Sequence, residues 1–221
     1  MAITTYTGLL ASLAAWTDRD DMGAIWPDMI ALCEEAAFEE LRISRMIQRD
    51  TATIDTDNRF SSVPGNYLEV ISYSLSDGTT ANDLSPTTIQ QIADYRSRND
   101  TAGRPRFYCI NGTSAGREFE HYPEPDMAYT GTLTFYGKPT PLSPTNASNW
   151  LLADAPSVYL YGTLLQAAPY LRDSEQISIW NAGYTAGLDR LRRSDPTKAG
   201  KLRTDVGLSA RSGAYDITRD I

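Results

Sequence analysis

The chain opens with apolar residues at helical intervals. In "YTGLLASLAAWTDRDD", Leu9, Leu10, Leu13 and Ala14 or Trp16 recur at three- and four-residue spacing, which predicts a short helix running into a polar turn, "TDRDD". In "IWPDMIALCEEAAFEELRISRMIQRD", Ile30, Cys33, Ala37, Leu41 and Ser44 form one stripe, widened by Met29, Leu32, Ala36 and Ile43. Glu34, Glu35, Glu39 and Glu40 fall mostly on the other side and read as a solvated face. Pro27 suits a first helical turn, where its missing N–H is not needed. Arg42, Arg45 and Arg49 come late, where cations suit the helix dipole. Together these predict a long helix over about 26–48.

The period then drops to two. "TATIDTDNRFSSVPGNYLEVISYSL" carries β-branched residues, a Pro64-Gly65 turn, and Ile71, Tyr73 and Leu75 alternating with Ser72 and Ser74. Ser85 and Pro86 read as the cap and first residue of a short helix, "SPTTIQQIADYRS". "RPRFYCINGTSAGREFEHYPEP" predicts a hairpin with strands at about 106–110 and 117–122 around an Asn111-Gly112 turn. "AYTGTLTFYGKP" alternates through Tyr129, Leu133 and Phe135 as one more strand. The prediction for this middle region is one small antiparallel sheet with a helix crossing it.

After the Pro/Ser-rich joint "PTPLSPTNAS" comes the most apolar stretch, "NWLLADAPSVYLYGTLLQAAPYLRD". Asp154 can cap a helix there, with Pro156 in the first turn. Leu160, Leu164, Ala167, Ala168 and Leu171 make one face, while Val158, Tyr159, Tyr161 and Leu165 carry the apolar surface further round. Pro169 should kink or stop the helix. Asp173, with Gln176 three residues on, should cap the next one, which carries Ile177, Trp180, Tyr184, Leu188 and Leu191. A helix apolar on more than one side must be covered on more than one side. The N-terminal helices and the final helix can provide part of that cover and a neighbouring copy the rest, with Trp150, Tyr159, Tyr161, Leu165, Trp180 and Tyr184 as candidate subunit-interface residues. Beyond "SDP" at 194–196 the chain turns polar, with isolated apolar residues that cannot build a core alone.

The pattern thus predicts an α+β protein: a mostly helical bundle from residues 1–51 and 149–194, an inserted antiparallel β subdomain over 52–148 with a short helix, and an extended or disordered arm over 195–221.

Composition adds charge to this picture. The formal net charge is −8 over 221 residues, which argues against tight nucleic-acid binding by the whole surface. It is uneven: residues 1–50 hold nine acids and four bases, a net of −5, and residues 190–211 hold seven bases and two acids, a net of +5. A basic tail on an acidic body can engage nucleic acid or an acidic neighbour. Its candidate contact residues are Leu202, Arg203, Val206, Leu208, Arg211, Tyr215, Ile217 and Ile221. No run reaches the roughly 18 apolar residues of a membrane span. The start lacks a signal-peptide pattern, so synthesis in a reducing cytoplasm is expected, with Cys33 and Cys109 as free buried thiols.

Catalytic equipment is sparse. His121 is the one histidine, neither cysteine has a second ligand at metal spacing, and no nucleotide-binding glycine pattern appears. The reading is of a protein that is not an enzyme and that uses no metal or cofactor. Paired carboxylates at Glu118, Glu120, Glu124 and Asp126 leave one catalytic alternative, a hydrolase of glycosidic bonds such as those of peptidoglycan. A DNA-binding protein acting through the basic tail is the other alternative.

The ordered series of motifs resembles the head-to-tail adaptor (connector) proteins of short-tailed bacteriophages. Trp16, Arg19-Asp20, Pro27, Leu41-Arg42 and Met46 carry the first part of the likeness. "VPGNYLEVISYSL", "GRPRFYCING", "YPEPDMAYTGTLTFYGKP", the apolar stretch, Trp180 and Tyr184 continue it in order over about residues 4–193. The resemblance implies a virion protein made in the host cytoplasm. It further implies a ring, usually of twelve copies, between the portal protein and the tail nozzle or tail tube, with an arm reaching onto the portal. Double-stranded DNA would pass through during packaging and ejection, along a lumen that Glu34, Glu35, Glu39 and Glu40 would keep negative.

Overall fold

A computed structural model describes residues 3–19, 21–114, 116–172 and 175–196. The chain divides into two compact units: residues 1–45 with 139–221, which we call the helical unit, and residues 46–138, the β unit.

The helical unit begins with α1 (Tyr6–Thr17), whose N-cap Thr5 accepts a hydrogen bond from the Gly8 amide. Leu9 and Leu13 are its fully buried stripe. Next comes α2 (Trp26–Glu40), with Pro27 in its first turn as expected. It stops well short of residue 48. Leu41 turns extended, and the Arg42 guanidinium donates to the carbonyls of Phe38, Glu39 and Leu41, satisfying the helix end. Leu41 and Ile43 are buried two residues apart, an extended period that the helical stripe had absorbed. A 3-10 turn over Ser44–Met46 then leads into a strand.

The same unit resumes with α4 (Trp150–Asp154) and α5 (Pro156–Leu171). Asn149, not Asp154, supplies the side-chain cap, and it does so for α4; Asp154 is that helix's last residue. Pro169 falls in the last turn of α5, and the helix stops two residues later at Leu171. The next helix, α6 (Ile177–Ser194), has Gln176 itself at the N-cap position, so it begins later than a cap at Asp173 would place it; Asp173 lies outside the described residues. Packing centres on α5, which meets α1, α2 and α6. Two glycines allow the close approach. A β-carbon on Gly162 would lie 2.4 Å from Cys33 Sγ and 2.9 Å from the Tyr184 ring, and one on Gly183 would lie 2.6 Å from the Tyr161 ring.

The β unit holds two sheets rather than one. The first has the order β1-β8-β3-β4, built from β1 (Ile47–Ile54), β8 (Tyr129–Gly137), β3 (Tyr67–Ser76) and β4 (Ala81–Asp83). The second has the order β2-β7-β6-β5, from β2 (Phe60–Ser62), β7 (Gly116–Tyr122), β6 (Phe107–Thr113) and β5 (Ser85–Pro86). Ser85 and Pro86 pair in parallel with β6 instead of starting a helix. The helix α3 (Ile89–Arg98) starts three residues later, with a full capping box between Thr88 and Gln91. The hairpin strands run through Asn111-Gly112 as far as the pair Thr113 and Gly116. A register shift between Val70 and Ser72 explains why Ile71 is 44% exposed while Tyr73 and Leu75 are buried: the bulge resets the alternation. Tyr67, Tyr73, Tyr108, Phe119 and Phe135 dominate the core of this unit.

The class is therefore α+β with six helices and extensive strands among the described residues, and the helical bundle does not dominate it. No helix among the described residues is long and apolar enough to cross a membrane.

Candidate assembly surface

The candidate interface residues separate into two groups. Tyr159 is fully buried, and Trp180 and Tyr184 are nearly so, all within the helical unit of a single chain. They are core, not contact surface. α5 is covered on several sides by α1, α2 and α6 of its own chain, which accounts for much of the apolar surplus. Trp150, Tyr161 and Leu165 are only half-buried and remain available.

Tyr161 anchors the surface that is left. Its ring lies over Gly183 of α6, and Trp16 of α1 packs edge-on against it with centroids 5.7 Å apart. Trp16 is itself 56% exposed, and Ile179, one turn before Gly183, is 57% exposed. Leu165 follows Tyr161 by one turn. Trp16 of α1, Tyr161 of α5 and Gly183 of α6 thus meet here, with Leu165 and Ile179 one helical turn away on α5 and α6. Periodicity had marked Trp16 as a possible buried position of α1, yet the ring serves here as an exposed edge.

The acidic face also divides. Glu35, Glu39 and Glu40 are exposed, and Glu40 Oε1 accepts from Arg192 at 2.6 Å. Glu34 is only 4% exposed and cannot line a lumen. Its Oε1 accepts from the Leu142 amide at 2.8 Å and from the Tyr159 hydroxyl at 2.7 Å. Asn149 Nδ2 donates in turn to the Tyr159 oxygen at 2.7 Å. This chain of bonds ties the joint at 140–149 to α2 and α5. Burial pushes the Glu34 carboxyl above its usual range, against the pull of its two donors. Burial and the Glu34 charge push the Tyr159 phenol far up, so it stays a donor. Glu34 could have been found in the sequence, because it continues the stripe Ile30, Ala37 and Phe38 at helical spacing. Asn149, directly before "WLL", is also a recognisable cap.

The carboxylates of the hydrolase alternative are each held in structural contacts, or half-buried. Arg96 pairs with buried Glu120 at 2.9 Å, and Asn111 donates to its other oxygen at 2.8 Å. Glu124 pairs with Arg59. The Tyr129 hydroxyl donates to Asp126 at 2.7 Å, and Glu118 is half-buried on β7. His121 is buried in the same unit. Its Nδ1–H donates to the Arg59 carbonyl at 2.9 Å, which leaves Nε2 to accept from the Tyr73 hydroxyl at 2.8 Å. Burial pushes this imidazole down to about 4. Cys33 and Cys109 are free and buried, and burial raises the Cys33 thiol to about 12, far from a reactive thiolate. No cluster of three metal-ligating side chains exists among the described residues. The arm candidates Leu202, Arg203, Val206, Leu208, Arg211, Tyr215, Ile217 and Ile221 lie outside the described residues.

Comparison with known proteins adds one finding. A family model described as SU10 adaptor protein matches residues 4–205, most of the chain. No curated protein matches it.

Proposed function

The chain belongs to the SU10 adaptor protein family, a structural component of a phage virion, and from that premise we propose that it forms the ring joining the portal to the tail. The observation that carries the proposal is the group formed by exposed Trp16 and Ile179 with half-buried Tyr161 and Leu165. Large apolar side chains left exposed on neighbouring turns of a folded unit mark a contact site. A head-to-tail contact repeated around an axis closes a ring, and twelve copies is the number expected of this one. Trp150, half-buried on α4, extends the contact. Glu35, Glu39 and Glu40 face the DNA channel and keep passing double-stranded DNA from adhering. Residues 197–221 form the arm, with Arg203 and Arg211 meeting acidic surface and Leu202, Val206, Leu208, Tyr215, Ile217 and Ile221 as apolar anchors on the portal or the neighbouring copy. Many weak arm contacts per ring make the joint hard to reverse. The tail nozzle or tail tube binds the opposite rim.

Mixing the purified chain with portal rings of the same phage and imaging the product tests this reading. A ring of the chain seated on the portal is expected. A chain that stays single beside intact portal rings contradicts it.

A further inference from the structure

β1 is an edge that the fold leaves open. Among the described residues its one neighbour is β8, along all eight positions from Ile47↔Tyr136 to Ile54↔Tyr129. It has no proline and no bulge, and residues 49–53 are exposed on both faces of the strand. A strand of this length and regularity presents a row of outward N–H and C=O groups, which proteins ordinarily shorten, bend or cover. One such amide, that of Thr51, is held for now by its neighbour's side chain, Asp50 Oδ1, at 2.8 Å. Beside the edge lies a narrow cleft toward the second sheet, lined by Asp50, Ala52, Ser61, Ser62, Tyr73 and Leu133. Arg49 and Asp50 put a charge on each face, an arrangement that repels strands at large and admits only one with matching charges.

The chain contains such a segment. Residues 215–221, "YDITRDI", alternate with Tyr215, Ile217, Arg219 and Ile221 on one side and Asp216, Thr218 and Asp220 on the other. Set antiparallel to β1, one register places Arg49 opposite Asp220 and Asp50 opposite Arg219. The same register sets Thr51 opposite Thr218, Ala52 opposite Ile217 and Ile54 opposite Tyr215. Both ion pairs, the Thr–Thr pair and the apolar pairs are combinations that stabilise facing strands. The side bearing Tyr215 and Ile217 is then the side that faces the cleft. The segment lies beyond the family match, which ends at residue 205, so the pairing is a property of this chain's own sequence.

We propose that residues 215–221 of one copy add as an antiparallel strand to the β1 edge of a neighbouring copy, in the register that pairs Arg49 with Asp220. The intervening residues 197–214 span up to about 60 Å when extended, enough to reach an adjoining subunit. This rests on the reading of the chain as an assembling adaptor and gives its arm a receptor. Main-chain bonds along β1 supply affinity, and the two charge pairs supply register.

Cross-linking of the full chain tests it. Directly opposed residues in antiparallel strands lie about 4.5–5.5 Å apart between α-carbons, within disulfide reach. The two native thiols are buried and add little background. A chain carrying Thr51→Cys and Thr218→Cys, oxidised mildly alone and with portal rings, is expected to give disulfide-linked dimers and longer chains. The control pair Thr51→Cys and Ser212→Cys, about 20 Å out of register, is expected to give none. Arg49→Asp should slow the reaction about fivefold, and Asp220→Arg in the same chain should restore it. Linkage only within single chains, no linkage under either condition, or equal linkage by the control overturns the proposal. If the unlinked variant still seats on portal rings, the adaptor reading stands without it. If linkage forms but the chain never binds portal, that reading fails instead.

Discussion

Glu34 in the helical unit and His121 in the β unit are both buried, and burial moves their titrations in opposite directions. In the helical unit Glu34 is pushed up; in the β unit His121 is pushed down to about 4. In both cases a low-dielectric interior favours the neutral form. The consequences for pH are opposite. A carboxyl raised in the folded state contributes stability that is complete below its ordinary value of 4.5 and drains away as pH rises through the raised one. An imidazole lowered from 6.5 to about 4 contributes stability that is complete above 6.5 and is lost as pH falls toward 4. Acid therefore loads the β unit, and neutral pH loads the helical one. The chain carries its own reporters for the difference: Trp16, Trp26, Trp150 and Trp180 all belong to the helical unit, and His121, the one histidine, belongs to the β unit.

The largest effect expected on this comparison is at Glu34. Glu34→Ala strands the Leu142 amide and the Tyr159 hydroxyl and should destabilise the helical unit by about 3–4 kcal/mol, read as an earlier tryptophan-fluorescence transition in urea. Glu34→Gln keeps an acceptor oxygen without the charge. It should stay within about 1 kcal/mol of the parent and flatten the dependence on pH above 4.5. Next comes Gly162→Val, which forces a side chain against Cys33 and Tyr184 and should cost about 3 kcal/mol in the same transition while leaving the His121 signal native. Lowering the pH from 7 to 4.5 should then weaken the β unit by on the order of 2–3 kcal/mol, followed by the imidazole resonances of His121. A His121 that titrates near 6.5 in the folded protein would remove that half of the comparison. Smallest for a single chain is Ile179→Ser, an exposed site where the change should stay within about 0.5 kcal/mol. The same substitution should abolish ring formation.

The helical periods of α1 and α6 and the alternation of β8 were legible because each buries one continuous face, and α5 was legible as an apolar run that needs cover on several sides. The end of α2 was not. Leu41 and Ile43 fit a helical stripe as well as they fit the extended chain that exists, and only pairing of Ile47–Ile54 with β8 decides between them. The bulge at Ile71 and the parallel pairing of Ser85 and Pro86 depend on partners distant in sequence, which local patterning does not encode. Of the candidate interface residues, Tyr161 and Leu165 are half-buried, while Tyr159, Trp180 and Tyr184 are buried within their own unit, as is Glu34 of the acidic face. An apolar residue count can say that a helix needs cover. It cannot say whether the same chain or another provides it.

The account rests on the surface of Trp16, Tyr161 and Ile179 being covered by another subunit. Hydroxyl-radical footprinting of the free chain and of the chain assembled on portal rings measures that cover directly. Oxidation at Trp16 and Ile179 is expected to fall several-fold on assembly, while exposed Met127 of the β unit serves as a reference outside this surface. Unchanged oxidation of Trp16 and Ile179 in the assembled particle would contradict the account.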